Sequence, residues 1–230
     1  LLPATRVAAI FEPDSAMAAK AHAIAPDAVM VDSVAALLDV EALDCVLIVS
    51  PNFRHVEQLE EIAATRPLPL LVEKPLFTDA GDVAKLAAFR DAYQAPVWVA
   101  MEYRYMPPVA RLVAEIRGGF AGNLRMLAIR EHRFPFLKKV DDWNRFNRNT
   151  GGTLVEKCCH FFDLMLQVTR ARPVRVFATG GQSVNHLDER PLLRRGLPLR
   201  RGRGPPRSAG VHVARSVENG DAKTKRFGVW

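Results

Sequence analysis

The 230-residue chain is 49% hydrophobic and 25% charged and carries a formal net charge of +7, the composition of an ordinary globular protein. No apolar run approaches the ~20 residues a bilayer-spanning helix needs. The start, LLPATRVAAIFEPD, lacks a charged leader ahead of an apolar core, so a cytoplasmic rather than secreted protein is expected. Three cysteines, two of them adjacent (Cys158, Cys159), make no disulfide framework. The charge is unevenly placed: residues 191–230 hold ten Lys and Arg against two Asp and Glu, a net of +8, which leaves −1 on residues 1–190. The basic balance belongs to the tail, and neither a nucleic-acid nor a membrane partner is expected.

In chain order, VAAIF (7–11) is a short apolar run ending in an acid, and SAMAAKAHAIA (15–25) is helical in composition, with Pro26 stopping it. CVLIVS (45–50) reads as a fully buried strand, and FRHVEQLEEIAATR (53–66) as an amphipathic helix with Val56, Leu59, Ile62 and Ala63 on one side. LPLLVE (68–73) reads as another buried strand. DAGDVAKLAAFRDAY (79–93) reads as a helix capped by Asp79, and PVWVAM (96–101) as a strand. Short apolar strands separated by helices predict parallel βαβ units with both sheet faces covered. After residue 105 the rhythm changes. A helix over 107–117 ends at Gly118-Gly119, and LRMLAIREHRFPF (124–136) alternates like an antiparallel strand. A polar loop with Trp143, a helix opening at Gly151-Gly152 and a strand over 173–180 follow. The tail has six Gly, four Pro and clustered Arg, without an apolar period, and is expected to be disordered.

In a parallel sheet of this kind ligands sit beyond the carboxyl ends of the strands. The residues there are Glu12, Ser50-Pro51-Asn52, Glu73-Lys74-Pro75 and Glu102-Tyr103-Arg104. A lysine directly after a buried strand is partly desolvated and can hold a hydroxyl or help move a proton; a solvated lysine at a strand end is the plainer alternative. In GGTLVEKCCHFFDLM (151–165), Glu156 and His160 stand four apart, on one helix face, with Asp163 a turn beyond. A histidine flanked by carboxylates can act as a general acid/base; the same pattern also suits a packed helix with the histidine hydrogen-bonded at its edge. Cys158, Cys159 and His160 point about 100° apart on a helix and cannot converge on one ion, so no metal is expected. Glu12 is placed either to hold an adenosine ribose or to sit at a helix start.

Taken together, IFEPD, VLIVSPNFRHVEQLEEI, LLVEKPL, VWVAMEYRYMP and GGTLVEKCCHFFDLM resemble the Gfo/Idh/MocA oxidoreductases, in that family's order and spacing over residues 7 to 188. The resemblance implies an enzyme with a Rossmann domain binding NAD, NADP being the other candidate, followed by an α/β domain. It would pass a hydride between nicotinamide and a hydroxyl-bearing carbon of a sugar or cyclitol. It implies catalytic roles for Lys74, His160 and Glu156, the last standing where the family usually has Asp. Cofactor contacts would come from Glu12, Ser50, Pro51, Asn52, His55, Glu73 and Lys74, and Glu12 in the ribose position favours NAD. Tyr103, Arg104, Trp143, Arg145 and Asp163 would face a sugar or polyol substrate, and the intact parent would be a homo-oligomer.

The family also has a glycine-rich turn after its first strand, whereas the first glycine here is Gly81. Either this is another fold, or that strand and turn lie upstream of Leu1. The expected fold class is therefore α/β: a Rossmann-like parallel sheet lacking its first strand and glycine loop (1–105), then a second, incomplete α+β domain (106–190) and a disordered basic tail (191–230). The Arg-, Pro- and Gly-rich tail has the composition of a shifted reading frame in GC-rich DNA. A catalytically dead binding protein on the same scaffold is the alternative function.

Overall fold

The computed structural model describes residues 5–41, 43–131, 137 and 139–179, together with the backbone of two strands at 210–215 and 225–229. The elements are β1 (Ala9–Phe11), α1 (Ser15–Ile24), β2 (Val29–Val31), α2 (Val34–Leu38), β3 (Val46–Ile48), α3 (His55–Thr65), β4 (Leu70–Val72), α4 (Val83–Ala92) and β5 (Val97–Val99). There follow α5 (Pro107–Arg117), β6 (Met126–Ile129), α6 (Asn147–Thr150), α7 (Gly152–Glu156), α8 (Cys158–Thr169), β7 (Arg175–Thr179), β8 (Gly210–Arg215) and β9 (Lys225–Val229). The chain divides into two compact units. One holds residues 1–100 with 138–144 and 148–151; the other holds the remainder. Glu102, Tyr103 and Arg104 thus go with the second unit.

In the first unit every strand pairing is parallel: β1 with β2, β3 with β4, and β4 with β5. The helices begin where side chains can take up the free amides of their first turn. Asp14 accepts from Met17 N at 2.8 Å for α1, and Ser33 Oγ accepts from Ala36 N at 3.1 Å for α2. Asp79 accepts from Gly81 N at 2.7 Å ahead of α4, as its sequence position predicted. β2 and α2 were not anticipated; the apolar triplet Val29-Met30-Val31 is short, and the Asp32-Ser33 cap was its one flanking signal. α3 turns His55, Val56, Leu59 and Ile62 inward. At its far end Arg66 donates to the carbonyls of Leu38 and Val40, both at 2.9 Å, which ties α3 to the end of α2. The core is Leu38, Val46, Ile48, Leu59, Ile62, Leu70 and Val72, with Leu86, Phe89 and Tyr93 packed against it.

Burial of the strands departs from expectation. β3 and β4 each alternate buried, exposed, buried. Leu47 is 57% exposed and Trp98 54% exposed, with Leu71 and Val49 exposed as well. Elements α2, α3 and α4 supply the core packing on one face only. An apolar run was read as a strand buried on both faces, but run composition reports apolarity and not how many layers cover it. The parallel sheet is also in two pieces, β1–β2 and β3–β4–β5. Among the described residues, β1 and β3 each carry a strand on one edge only.

The second unit has a mixed sheet in the order β6–β9–β8–β7. Residues 124–136 were expected to be an antiparallel strand; the strand found is Met126–Ile129, and it pairs with β9 in parallel. Glu131 follows it, and residues 132–136 lie outside the described residues. The tail is likewise not disordered throughout: Gly210–Arg215 pairs antiparallel with both β7 and β9. The reason is visible in GVHVAR, where Val211 and Val213 alternate with His212 and Ala214, a period-2 pattern that composition alone hides. The second core cluster joins Cys158, Phe161 and Met165 of α8 to Tyr103, Leu127, Ile129 and Phe162. The helix expected to open at Gly151-Gly152 is two helices. Both glycines have φ of +73°, a conformation that side chains rarely adopt, and the chain breaks again at Lys157, where α8 starts. Glu156 therefore ends α7 and does not share a continuous helix face with His160.

Candidate functional site

In the first unit the predicted residues gather at the carboxyl ends of the strands. An open groove of about 860 Å³ runs past the ends of β1 and β2, lined by Phe11, Glu12, Met30, Val31, Asp32 and Ala36 among others. The Glu12 carboxylate accepts from Asp14 N at 2.9 Å, which aims it at the start of α1 within that groove. Asp32 adds a second acid that sequence reading did not single out. Beyond β3, Ser50 Oγ donates to Gln58 Oε1 at 2.5 Å, and Pro51 opens the 3₁₀ turn that leads into α3. Asn52 is 7% exposed and its side-chain nitrogen has no hydrogen-bond partner. A buried donor left unpaired costs about 1–3 kcal/mol.

His55 is completely buried. Its Nδ1 lies 2.8 Å from the Pro75 carbonyl and its Nε2 3.0 Å from the Ser50 carbonyl. It lies between the turn after β3 and the turn after β4, each of its ring nitrogens facing a backbone carbonyl. Beyond β4, Glu73 N continues the ladder to Ile48 O at 2.8 Å, and its carboxylate accepts from Lys74 N at 3.0 Å. Lys74, half-buried, follows directly. Trp143 also belongs to this unit, edge-on to Phe53 at 6.2 Å, with its carbonyl accepting from Asn149 Nδ2 at 3.0 Å.

In the second unit the polar residues engage one another. His160 is 2% exposed, and its Nε2 lies 3.4 Å from Glu102 Oε1. The Tyr103 ring stacks on the His160 imidazole, 4.3 Å between centres and 7° from parallel. Arg104 Nε donates to Asp163 Oδ2 at 2.6 Å, and Nη2 donates to Asp163 Oδ1, a two-pronged pair. This hydrogen-bonded pairing holds the Arg104 guanidinium above its ordinary value. Arg104 and Asp163, both expected to face substrate, are each other's partner. Glu156 is buried and Arg145 half-buried. Burial pushes the Cys158 thiol up to about 11, which fits its reading as a small buried hydrophobe. Sequence reading missed Lys157 and Glu131, which lie 3.3 Å apart; a lysine beside a glutamate in a helix reads as solvated until the break at 157 turns both residues inward. Among the described residues no group of three or more His, Cys, Asp or Glu could hold a metal ion, and no helix is long and apolar enough to cross a membrane.

Residues 2–101 match the model of the Gfo/Idh/MocA oxidoreductase family's NAD-binding Rossmann fold, and residues 114–191 match the model of its C-terminal α/β domain. The rhizopine catabolism protein MocA of Rhizobium meliloti is 30% identical over 137 residues, 60% of this chain and 41% of its own length. An inositol 2-dehydrogenase of Corynebacterium glutamicum strain R is 29% identical over 171 residues, 74% of this chain and 48% of its own. The chain thus spans less than half the length of these relatives. Among solved structures, the WlbA dehydrogenase of Bordetella pertussis, in complex with NADH and UDP-GlcNAcA, superposes with a TM-score of 0.70 at 16% identity, over 97% of this chain and 58% of that one. The myo-inositol 2-dehydrogenase of Lactobacillus plantarum gives 0.65 at 18% identity, over 77% and 52%. Two family models in tandem, a parallel sheet with its acids and amide at the strand ends, and a second mixed-sheet unit carrying the histidine helix place this chain in the Gfo/Idh/MocA oxidoreductase family.

Proposed function

We propose that the chain forms part of a cytoplasmic NAD-dependent oxidoreductase acting on a hydroxyl-bearing carbon of a sugar or cyclitol. The observation that carries the reading is the buried Asn52 side-chain nitrogen, without a hydrogen-bond partner in the turn that follows β3, while Lys74 follows the neighbouring strand β4. In this reading Asn52 donates to the cofactor, Ser50, Pro51 and Glu73 shape the same edge, and His55 holds its two turns together. Glu12 takes the ribose hydroxyls, and with Asp32 in the same groove a 2′-phosphate would meet two like charges, so NAD is favoured over NADP. Nicotinamide, when bound, accepts or returns the hydride.

Lys74 orients the hydroxyl to be oxidised. His160 would take the proton of that hydroxyl as general base and return it in the reverse direction. Glu102, 3.4 Å from His160 Nε2, is placed to compensate a proton on that nitrogen. Glu156 stands where the family has Asp and serves the same histidine; Tyr103, Arg104, Asp163, Trp143 and Arg145 bound the substrate side. The division into a cofactor domain over 1–105, a second domain over 106–190 and a frame-shifted tail, and assembly into a homo-oligomer, belong to the same proposal. Titration with NADH, followed by assay with NAD+ against a panel of cyclitols and aldoses, tests it: saturable NADH binding is expected, and its absence would end the reading.

A second reading, a catalytically inert binding protein on this scaffold, is favoured by one feature. Among the described residues the parallel strands form two separate sheets, β1–β2 and β3–β4–β5, and no glycine of the given sequence precedes Gly81. A dinucleotide pyrophosphate is ordinarily cradled at a glycine turn in the first βα turn of such a fold. Failure of the chain to bind NADH would favour this second reading.

A further inference from the structure

Lys157 is 6% exposed, and a lysine is almost never that deeply buried without a partner. Its ammonium group donates to the Tyr103 hydroxyl, lies 3.3 Å from Glu131 Oε1 and sits 4.4 Å from the centre of the Tyr103 ring. The Tyr103 hydroxyl also donates to Glu131 Oε1, at 3.4 Å. Tyr103 is thus held at its hydroxyl by an ammonium and a carboxylate, and over its ring by the same ammonium. The ring in turn lies flat against the His160 imidazole, 7° from parallel. Lys157 lies at the break between α7 and α8, and both it and Glu156 are buried. All of these residues lie within the second unit.

We propose that Lys157 is a positioning residue for His160, acting through Tyr103. Lys157 and Glu131 fix the phenol, and the stacked ring fixes the plane of the imidazole, keeping Nε2 turned toward Glu102. The Lys157 ammonium is committed to Tyr103 and Glu131. The importance of this for turnover rests on the reading of His160 as the acid/base; the geometric claim does not.

The test is therefore made first by nuclear magnetic resonance on the full chain, without turnover. The His160 ring signals, assigned by their loss in His160→Asn, are expected upfield of those of the exposed His22, because an aromatic ring lies on the imidazole face. Tyr103→Phe keeps the ring but removes the group that Lys157 holds, and the signals should move toward the exposed position. Lys157→Met should move them the same way, and Lys157→Arg should largely restore them. Unmoved His160 signals in Tyr103→Phe would overturn the proposal, including where Lys157→Met does not fold. In a preparation that turns over, Lys157→Met should lower kcat, by up to about a hundredfold for a misplaced group, with KM little changed and Lys157→Arg active. Moved signals with unchanged kcat would leave the positioning standing and count against His160 as the acid/base.

Discussion

The strand ends of the first unit and the His160 cluster of the second are both polar, but they are satisfied differently. At the strand ends most side chains bond to backbone close by: Glu12 to Asp14, Glu73 to Lys74, His55 to the carbonyls of Ser50 and Pro75. One buried donor, that of Asn52, is left over. Around His160 the side chains bond to each other: Arg104 with Asp163, Lys157 with Tyr103 and Glu131. In the proposed reading the Asn52 donor meets the cofactor. Around His160 the charged side chains Arg104, Asp163, Lys157 and Glu131 pair within the cluster. Substitutions at the first should alter binding with little effect on stability, and substitutions at the second should do the reverse.

The largest expected effect is on turnover. Lys74→Ala should lower it by about 10²–10⁴-fold, the range for loss of a group that moves or orients a proton, while NADH binding survives. Equal loss of both would make Lys74 a cofactor contact only. Next in size is a contrast between the two faces of the first unit. Leu59, 1% exposed in the core, should cost about 2–5 kcal/mol when replaced by Ala. Leu47→Ala, on the bare face of β3, should stay within about 0.5 kcal/mol; chemical denaturation reads both, and equal losses would mean that the outer face is covered.

Smaller, and a direct break test of the comparison, is Asp163→Asn against Asn52→Leu. Removing the charged partner of Arg104 should cost about 1.5–3 kcal/mol, while Asn52→Leu removes an unpaired buried donor and should be neutral or slightly stabilising. A last prediction concerns the thiols. Exposed Cys45 should be alkylated readily at pH 8, and buried Cys158 should not. Because burial raises the Cys158 thiol from 9.0 to about 11, the folded chain keeps a proton there that the unfolded chain loses. The associated stability is present below pH 9 and lost as pH climbs toward 11. A denaturation midpoint that holds or rises over that window, relative to Cys158→Ala, would contradict this.

The first unit's elements were legible because their signals are local. Apolar triplets followed by turn residues marked β1, β3, β4 and β5, and the 3.6-residue spacing of Val56, Leu59 and Ile62 marked α3. Lys74 and Asn52 stood out because a polar residue directly after a buried strand has few places to go. What sequence could not show was non-local. Whether a second layer covers Leu47 depends on elements elsewhere in the chain. The partnership of Lys157 with Tyr103 spans 54 residues, and that of Arg104 with Asp163 spans 59; neither leaves a periodic trace. The break at Lys157 was hidden by good helix formers on both sides, and tertiary burial of a charged pair overrides their propensity. The strands of the tail were hidden by its clustered Arg, Gly and Pro.

NADH titration of this chain and of its Asn52→Leu variant, each checked for unchanged unfolding behaviour, tests the central claim most directly. The account predicts saturable binding on the order of micromolar for the chain and clear weakening in Asn52→Leu at equal stability. Equal binding by both, or none by either, would contradict the assignment of the β3 and β4 strand ends as the cofactor edge.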